Sequence, residues 1–150
     1  MSKLKNLKGL LASVLALSFV GIFDSGYLTL KHYDTSIPLK CTFFNGCDFV
    51  LNSKYSIIFG LPASLYGLIF YLLVFSLALV FLFSKKSRRD IIPSLFSLSI
   101  LGVSVSGYFL YLQFIVLKSI CFYCLISAVT STLIFVLALI ALRVNREKAK

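Results

Sequence analysis

Residues 62–83 read PASLYGLIFYLLVFSLALVFLF, and they lie within a longer run, 55–84, that contains no charged side chain. An α-helix needs about 20 apolar residues to cross the ~30 Å hydrocarbon core of a bilayer. Only helices and closed barrels satisfy their backbone hydrogen bonds in lipid, and this stretch lacks the alternation of a barrel strand. It therefore predicts a transmembrane helix.

Three further segments have the same character. Charged residues are absent from 91–117 and from 119–142, and a weaker apolar run at 9–30 is interrupted by Asp24. The first run also resembles a signal peptide, but no small-x-small cleavage site follows it, so an uncleaved helix is predicted. We predict one domain over 1–150 with transmembrane helices at 9–30, 62–83, 93–117 and 121–142.

The composition agrees with an all-α integral membrane protein, a bundle of four transmembrane helices. Hydrophobic residues make up 59% of the chain and charged residues 13%, whereas soluble proteins average ~45–50% and ~25%. This balance excludes a soluble globular domain and also a disordered chain.

The net charge of +10 is explained by topology. Most of the 15 Lys and Arg residues lie before the first span, between the second and third spans, and after the fourth. The positive-inside rule places these segments, and both termini, in the cytoplasm. A nucleic-acid partner is therefore not expected. The tail matches a dilysine retrieval signal only weakly, which favours a prokaryotic plasma membrane over the endoplasmic reticulum.

The four cysteines form two pairs on one side of the membrane. Cys41 and Cys47 lie between the first two spans, and Cys121 and Cys124 form the motif CFYC at the start of the last span. Two spans separate the pairs, so both face the same compartment. The charge pattern makes this the extracytoplasmic, oxidising side, where disulfides persist.

The CxxC motif predicts thiol chemistry. Residues three apart share a helix face, and the helix N-terminus lowers the pKa of a cysteine placed there. Cys121 is therefore predicted to be the more thiolate-like and the more exposed sulfur. Cys124 is predicted to lie about 4.5 Å deeper along the axis, facing a lipid-soluble partner. Together with the loop pair, the motif indicates a dithiol–disulfide relay.

Other interpretations of the cysteines stay open. They could form two structural disulfides in a small membrane scaffold or transporter subunit, or they could be inert buried residues. A four-cysteine zinc site would need all four thiolates in an oxidising compartment, and no second CxxC is present, so no metal is expected.

The first loop contains a candidate lid. In residues 47–56 the apolar Phe49, Val50 and Leu51 are flanked by polar residues, which is typical of a short amphipathic helix on the membrane surface. Such a helix could carry Cys41 and Cys47 between an external partner and the CxxC motif. A passive hydrophobic connector is the alternative.

Several motifs occur together in a fixed order. They are Asp24-Ser25-Gly26-Tyr27-Leu28-Thr29, His32, Cys41-x5-Cys47, Ser53, Tyr55-Ser56, Phe59-Gly60-Leu61-Pro62, Gly67, Tyr111-Leu112-Gln113 and Cys121-x-x-Cys124. Over nearly the whole chain this pattern resembles the vitamin K epoxide reductase family, in its bacterial and archaeal members.

The resemblance implies a route for electrons. A thioredoxin-like, DsbA-like extracytoplasmic protein would pass them to Cys41 and Cys47, this pair to Cys121 and Cys124, and Cys124 to a quinone held in the bundle. It also places Ser53 near the quinone head group. The candidate quinone-binding residues are Ser53, Phe59, Tyr111 and Tyr123.

Two departures from the mammalian pattern concern the substrate. Aligned on Ser64-Leu65-Tyr66-Gly67, Ala63 stands where mammalian members have Asn, and Ala128 where they have Tyr. The expected oxidant is therefore ubiquinone or menaquinone, with vitamin K-type quinones left open and epoxide reduction poor or secondary. Few residues follow the last span, so the partner is expected to act in trans.

Overall fold

The computed structural model describes residues 2–34, 36, 46–83 and 88–146. In chain order the elements are helix α1 (Ser2–Tyr33), helix α2 (Cys47–Leu51), strands β1 (Ile57–Ile58) and β2 (Leu61–Pro62), and helices α3 (Ala63–Phe83), α4 (Arg88–Tyr111) and α5 (Phe122–Arg146). A 3-10 turn, Lys54–Ser56, follows α2, and a π-helical turn, Leu112–Val116, extends α4.

The four long helices are long and apolar enough to cross a membrane, which confirms the predicted four-helix membrane fold. Helix α1 extends beyond the predicted 9–30 at both ends. Its N-terminal extension is rich in lysine and leucine, which favour helix even outside the apolar layer. Helix α4 begins before Pro93, so this proline lies inside the helix.

The helices form a ring in which α1 packs against α3 and α5, and α4 packs against α5 and α3. One half of the ring is closed by a continuous apolar core. It consists of Leu7, Leu11, Val14, Tyr71, Val74, Ala78, Phe81, Ile91, Ile92, Leu95, Ile134, Ala138 and Ala141. These residues come from the beginnings of α1 and α4 and the ends of α3 and α5, as expected for helices that alternate in direction.

Tyr71 forms the boundary of this closed half. A side chain at Gly21 of α1 would collide with the Tyr71 ring, so the glycine allows the ring to lie across the interior. The Tyr71 hydroxyl reaches α5, where it donates to the carbonyl oxygen of Ser127 at 2.8 Å. The ring thus connects three helices at mid-bundle.

Residues 46–62, which lead into α3, cover the other end of the bundle. Helix α2 buries Cys47 and Val50 while Phe49 is exposed, so the predicted short amphipathic helix is present. Strands β1 and β2 then form a two-residue hairpin whose turn residues, Phe59 and Gly60, have φ of 50° and 81°. Such positive angles are typical of the tightest hairpin turns.

Candidate active site

The CxxC motif lies where the chain enters α5. Cys121 and Cys124 are free thiols. The Cys124 thiol donates to Cys121 Sγ at 2.8 Å, and the Cys124 backbone N–H points at the same sulfur at 3.4 Å. The thiol hydrogen bond is the main reason that the pKa of Cys121 is lowered, although burial acts against it. Cys121 is therefore the thiolate-prone sulfur, as the sequence predicted.

The predicted order of exposure is wrong for the two residues as a whole. Cys121 is 0% exposed, whereas Cys124 is only half-buried. The reason is tertiary: Cys47 and Val50 of α2 pack over Cys121 in one apolar cluster, with Leu117 and Phe122 at its edge. The motif alone predicts an exposed helix N-terminus, and nothing in it indicates that α2 packs over Cys121.

The start of α2 is held against the CxxC segment by backbone contact. A Cβ atom on Gly46 would lie 2.8 Å from the carbonyl oxygen of Ile120 and 2.9 Å from its nitrogen. Only glycine allows this approach. Cys47 follows directly and is 1% exposed. It takes part in a disulfide, while Cys41 lies outside the described residues.

The π-helical turn at the end of α4 supports the motif from the other side. Its Gln113 is 1% exposed and accepts a hydrogen bond from the Cys121 backbone N–H through Oε1 at 2.9 Å. The Gln113 carbonyl oxygen accepts a second one from the Ser119 N–H at 3.1 Å. Single π-helical turns occur frequently at functional sites. The sequence predicted no contact for Gln113, which stood out only as part of the motif Tyr111-Leu112-Gln113.

A cavity of about 460 Å³ occupies the half of the bundle next to the CxxC motif. Its volume falls within the ~300–1,000 Å³ range of small-molecule pockets. All four long helices and the loop after α2 contribute to its wall, and Tyr71 is one of the wall residues. Cys124 is part of the wall, whereas Cys121 is not. Cys121 thus lies within the cluster under α2, whereas Cys124 packs at the edge of that cluster and also borders the cavity.

The candidate quinone-binding residues lie in different surroundings. Ser53 lines the cavity, and its hydroxyl donates to the Val50 carbonyl oxygen at 2.8 Å. Phe59 is 97% exposed at the hairpin tip, and Tyr111 is exposed on α4. The Tyr123 ring packs against Tyr27 at 5.4 Å between centroids. None of these three aromatic residues belongs to the cavity wall.

Most polar groups of the cavity wall have partners. Thr29 donates to Ser64 Oγ at 3.1 Å, Ser106 and Ser131 share a hydrogen bond of 2.8 Å, and Tyr71 reaches Ser127. Within the described residues, two buried side-chain polar atoms have no partner: Asp24 Oδ2 and Gln113 Nε2. Both residues line this cavity.

The comparison with known proteins bears on this arrangement of cysteines. The sequence profile of the vitamin K epoxide reductase family matches residues 12–139. The chain belongs to this family. It is also 35% identical over 126 residues to the thiol-disulfide oxidoreductase LTO1 of Arabidopsis thaliana, in an alignment that covers 78% of this chain and 32% of that protein. This vitamin K epoxide reductase family member thus spans about a third of the length of that relative.

Proposed function

We propose that this family member is a membrane thiol–quinone oxidoreductase. It would oxidise a thioredoxin-like protein and pass the electrons through two cysteine pairs to a quinone, and so support disulfide bond formation. One observation carries the proposal: the CxxC motif joins two compartments of the fold, since Cys121 packs under Cys47 and Cys124 borders the cavity.

Electrons pass first from the partner to the loop pair and then from the loop pair to the CxxC motif. The partner's dithiol reduces the Cys41–Cys47 disulfide, giving it two electrons and two protons. A thiolate of the reduced loop pair then attacks the oxidised CxxC motif, by the usual mixed-disulfide route. Cys47 is the candidate attacking residue because it shares a buried cluster with Cys121. The loop pair is thereby re-oxidised and the CxxC motif becomes a dithiol.

The second transfer takes place at the cavity. When Cys121 and Cys124 close to a disulfide they release two electrons and two protons, which convert a quinone to a hydroquinone. Cys124 is the sulfur at the cavity wall and would bond to the quinone ring. The Cys121 thiolate, favoured by its lowered pKa, would then attack Cys124 and form the disulfide, and the ring would leave with the electron pair as the hydroquinone. Ala63 and Ala128 also line the wall. We therefore expect ubiquinone or menaquinone as the oxidant rather than vitamin K epoxide, since the mammalian members that reduce the epoxide have polar residues at those two positions.

The orientation follows from charge. Arg143 and Arg146 lie in the last turn of α5, at the end of the bundle opposite the cysteines. Under the positive-inside rule this end is cytoplasmic, so the cysteines and α2 face the extracytoplasmic side of a plasma membrane. An extracytoplasmic thiol partner could then reach the loop pair.

The test is anaerobic turnover of the purified protein in lipid nanodiscs with ubiquinone and menaquinone analogues, followed by quinone absorbance. A small dithiol and a reduced thioredoxin-like protein serve as alternative donors. We expect Cys124→Ala to abolish turnover with both donors, and Cys41→Ala to abolish only turnover driven by the protein donor. Absence of quinone reduction by folded wild type would overturn the proposal.

A further inference from the structure

Among the described residues, two polar groups at the cavity beside Cys124 have no hydrogen-bond partner. Asp24 is 9% exposed and Gln113 is 1% exposed, and the unpaired atoms are Asp24 Oδ2 and Gln113 Nε2. Buried polar side-chain atoms nearly always have a hydrogen-bond partner, and exceptions call for an explanation. Since both residues line one cavity, a ligand of that cavity is the simplest common partner.

The orientation of the Gln113 amide is fixed by the CxxC segment. Its oxygen accepts the Cys121 backbone N–H at 2.9 Å, and a flipped amide would put N–H against N–H at this contact. The Nε2 group is therefore the end that has no partner in the described part of the chain, and it can only donate. The ligand must present an acceptor to it.

The Asp24 carboxyl lies on α1, within a span that crosses the membrane. An ionisable residue at such a position usually faces the bundle interior and marks a functional pathway. In its neutral form the carboxyl has one O–H to donate. Several hydroxyls of the wall already have partners within the protein, as in the pair Ser106 and Ser131.

We propose that Gln113 Nε2 and the neutral Asp24 carboxyl donate hydrogen bonds to the carbonyl oxygens of the quinone head group and so hold the ring beside Cys124. This inference rests on the proposed function and adds the residues that recognise its substrate. It also assigns Gln113 two contacts, one to the substrate and one to the Cys121 backbone. Ala63 and Ala128 also line the wall, but their methyl groups cannot form hydrogen bonds. Other residues of the wall must therefore bind the carbonyl oxygens of the quinone.

The test is equilibrium binding of short-chain ubiquinone and menaquinone analogues in a Cys124→Ser background, where no electrons can be transferred. Tyrosine fluorescence quenching in nanodiscs reports the dissociation constant. Loss of one neutral hydrogen bond weakens binding about five- to tenfold, which we expect for Gln113→Met and for Asp24→Leu. Asp24→Asn keeps a donor and should stay within about twofold of the background. Ser104→Ala, at an exposed position on α4, is the matched control.

Two further readouts separate recognition from a structural role. Asp24→Leu removes an unpaired buried polar group, so it should raise the Tm while it weakens binding; a structural role for Asp24 predicts a lower Tm. Gln113→Met also removes the contact to Cys121, so exchange between the two cysteine pairs is measured without quinone. A binding defect above twofold with unchanged exchange supports the proposal, whereas a binding defect accompanied by slower exchange gives Gln113 a structural role and overturns its assignment to the substrate.

The outcomes distinguish the two proposals. Wild type that neither binds nor reduces quinone overturns the proposed function. Wild type that binds and reduces quinone, with Gln113→Met and Asp24→Leu both binding as tightly as the background, overturns only the assignment of these two residues.

Discussion

The backbone of Gly46 packs directly against the backbone of Ile120, close enough that a Cβ atom on Gly46 would lie 2.8 Å from the Ile120 carbonyl oxygen. The two residues each precede a cysteine, Cys47 and Cys121. The contact therefore brings a residue of the loop pair close to a residue of the CxxC motif. We expect the proposed relay between the pairs to depend on this backbone contact.

Gly46→Ala should disrupt the contact. The added methyl group meets backbone atoms that cannot rotate away, so α2 must shift, and such overpacking costs about 1–3 kcal/mol. We expect a lower Tm and slower exchange between the two cysteine pairs, with quinone reduction by a small dithiol largely kept.

Gly107→Ala is the matched control for this change. Gly107 lies in α4 and a Cβ there meets nothing within 4 Å, so alanine should be neutral or slightly stabilising. If both substitutions have the same effect on exchange, the Gly46 contact does not position the pairs.

The acidity of Cys121 should depend on Cys124. Because the Cys124 thiol donates to Cys121 Sγ at 2.8 Å, the pKa of Cys121 is lowered, and the thiolate should form at a pH below the ordinary cysteine range. Cys124→Ala removes the donor while Cys121 stays buried, so its titration should move to higher pH. Thiolate absorbance of the reduced protein, in a background with Cys41 and Cys47 replaced by serine, measures both titrations. An unchanged or lower midpoint in Cys124→Ala contradicts this account.

The cover over Cys121 should depend on one face of α2. Val50 is 7% exposed within the cluster that contains Cys121, whereas the adjacent Phe49 is 59% exposed. Val50→Ala should loosen the cover at a cost of about 1–2 kcal/mol and speed the alkylation of Cys121 by a small maleimide. Phe49→Ala should leave the rate near that of wild type. Equal rates for the two variants would mean that α2 does not control access to Cys121.

The sequence predicts the spans well because a membrane-spanning helix can be recognised from consecutive residues alone. A charge-free run such as 62–83 reports membrane crossing without any knowledge of its neighbours. It is harder to predict which side of each helix faces the core, since lipid-facing and core-facing positions are both apolar. Tyr111 and Gln113 are two residues apart on the chain, yet Tyr111 is exposed and Gln113 is 1% exposed.

Burial of Cys121 could not be predicted from the sequence for a different reason. It depends on a contact between residues far apart on the chain, Gly46 and Ile120, and neither residue carries a functional signature. The same holds for the shared cavity of Asp24 and Gln113, because no periodic pattern relates the π-helical turn after α4 to the last third of α1.

The central claim is that Cys47 exchanges electrons with Cys121, and disulfide trapping tests it most directly. In Cys41→Ser/Cys124→Ser the remaining cysteines are Cys47 and Cys121, and in Cys47→Ser/Cys124→Ser they are Cys41 and Cys121. Both proteins are treated with a mild thiol oxidant in nanodiscs, and the cross-linked peptides are quantified by mass spectrometry. The account predicts nearly complete cross-linking in the first protein and little in the second. Little cross-linking in the first protein, or equal cross-linking in both, would contradict it.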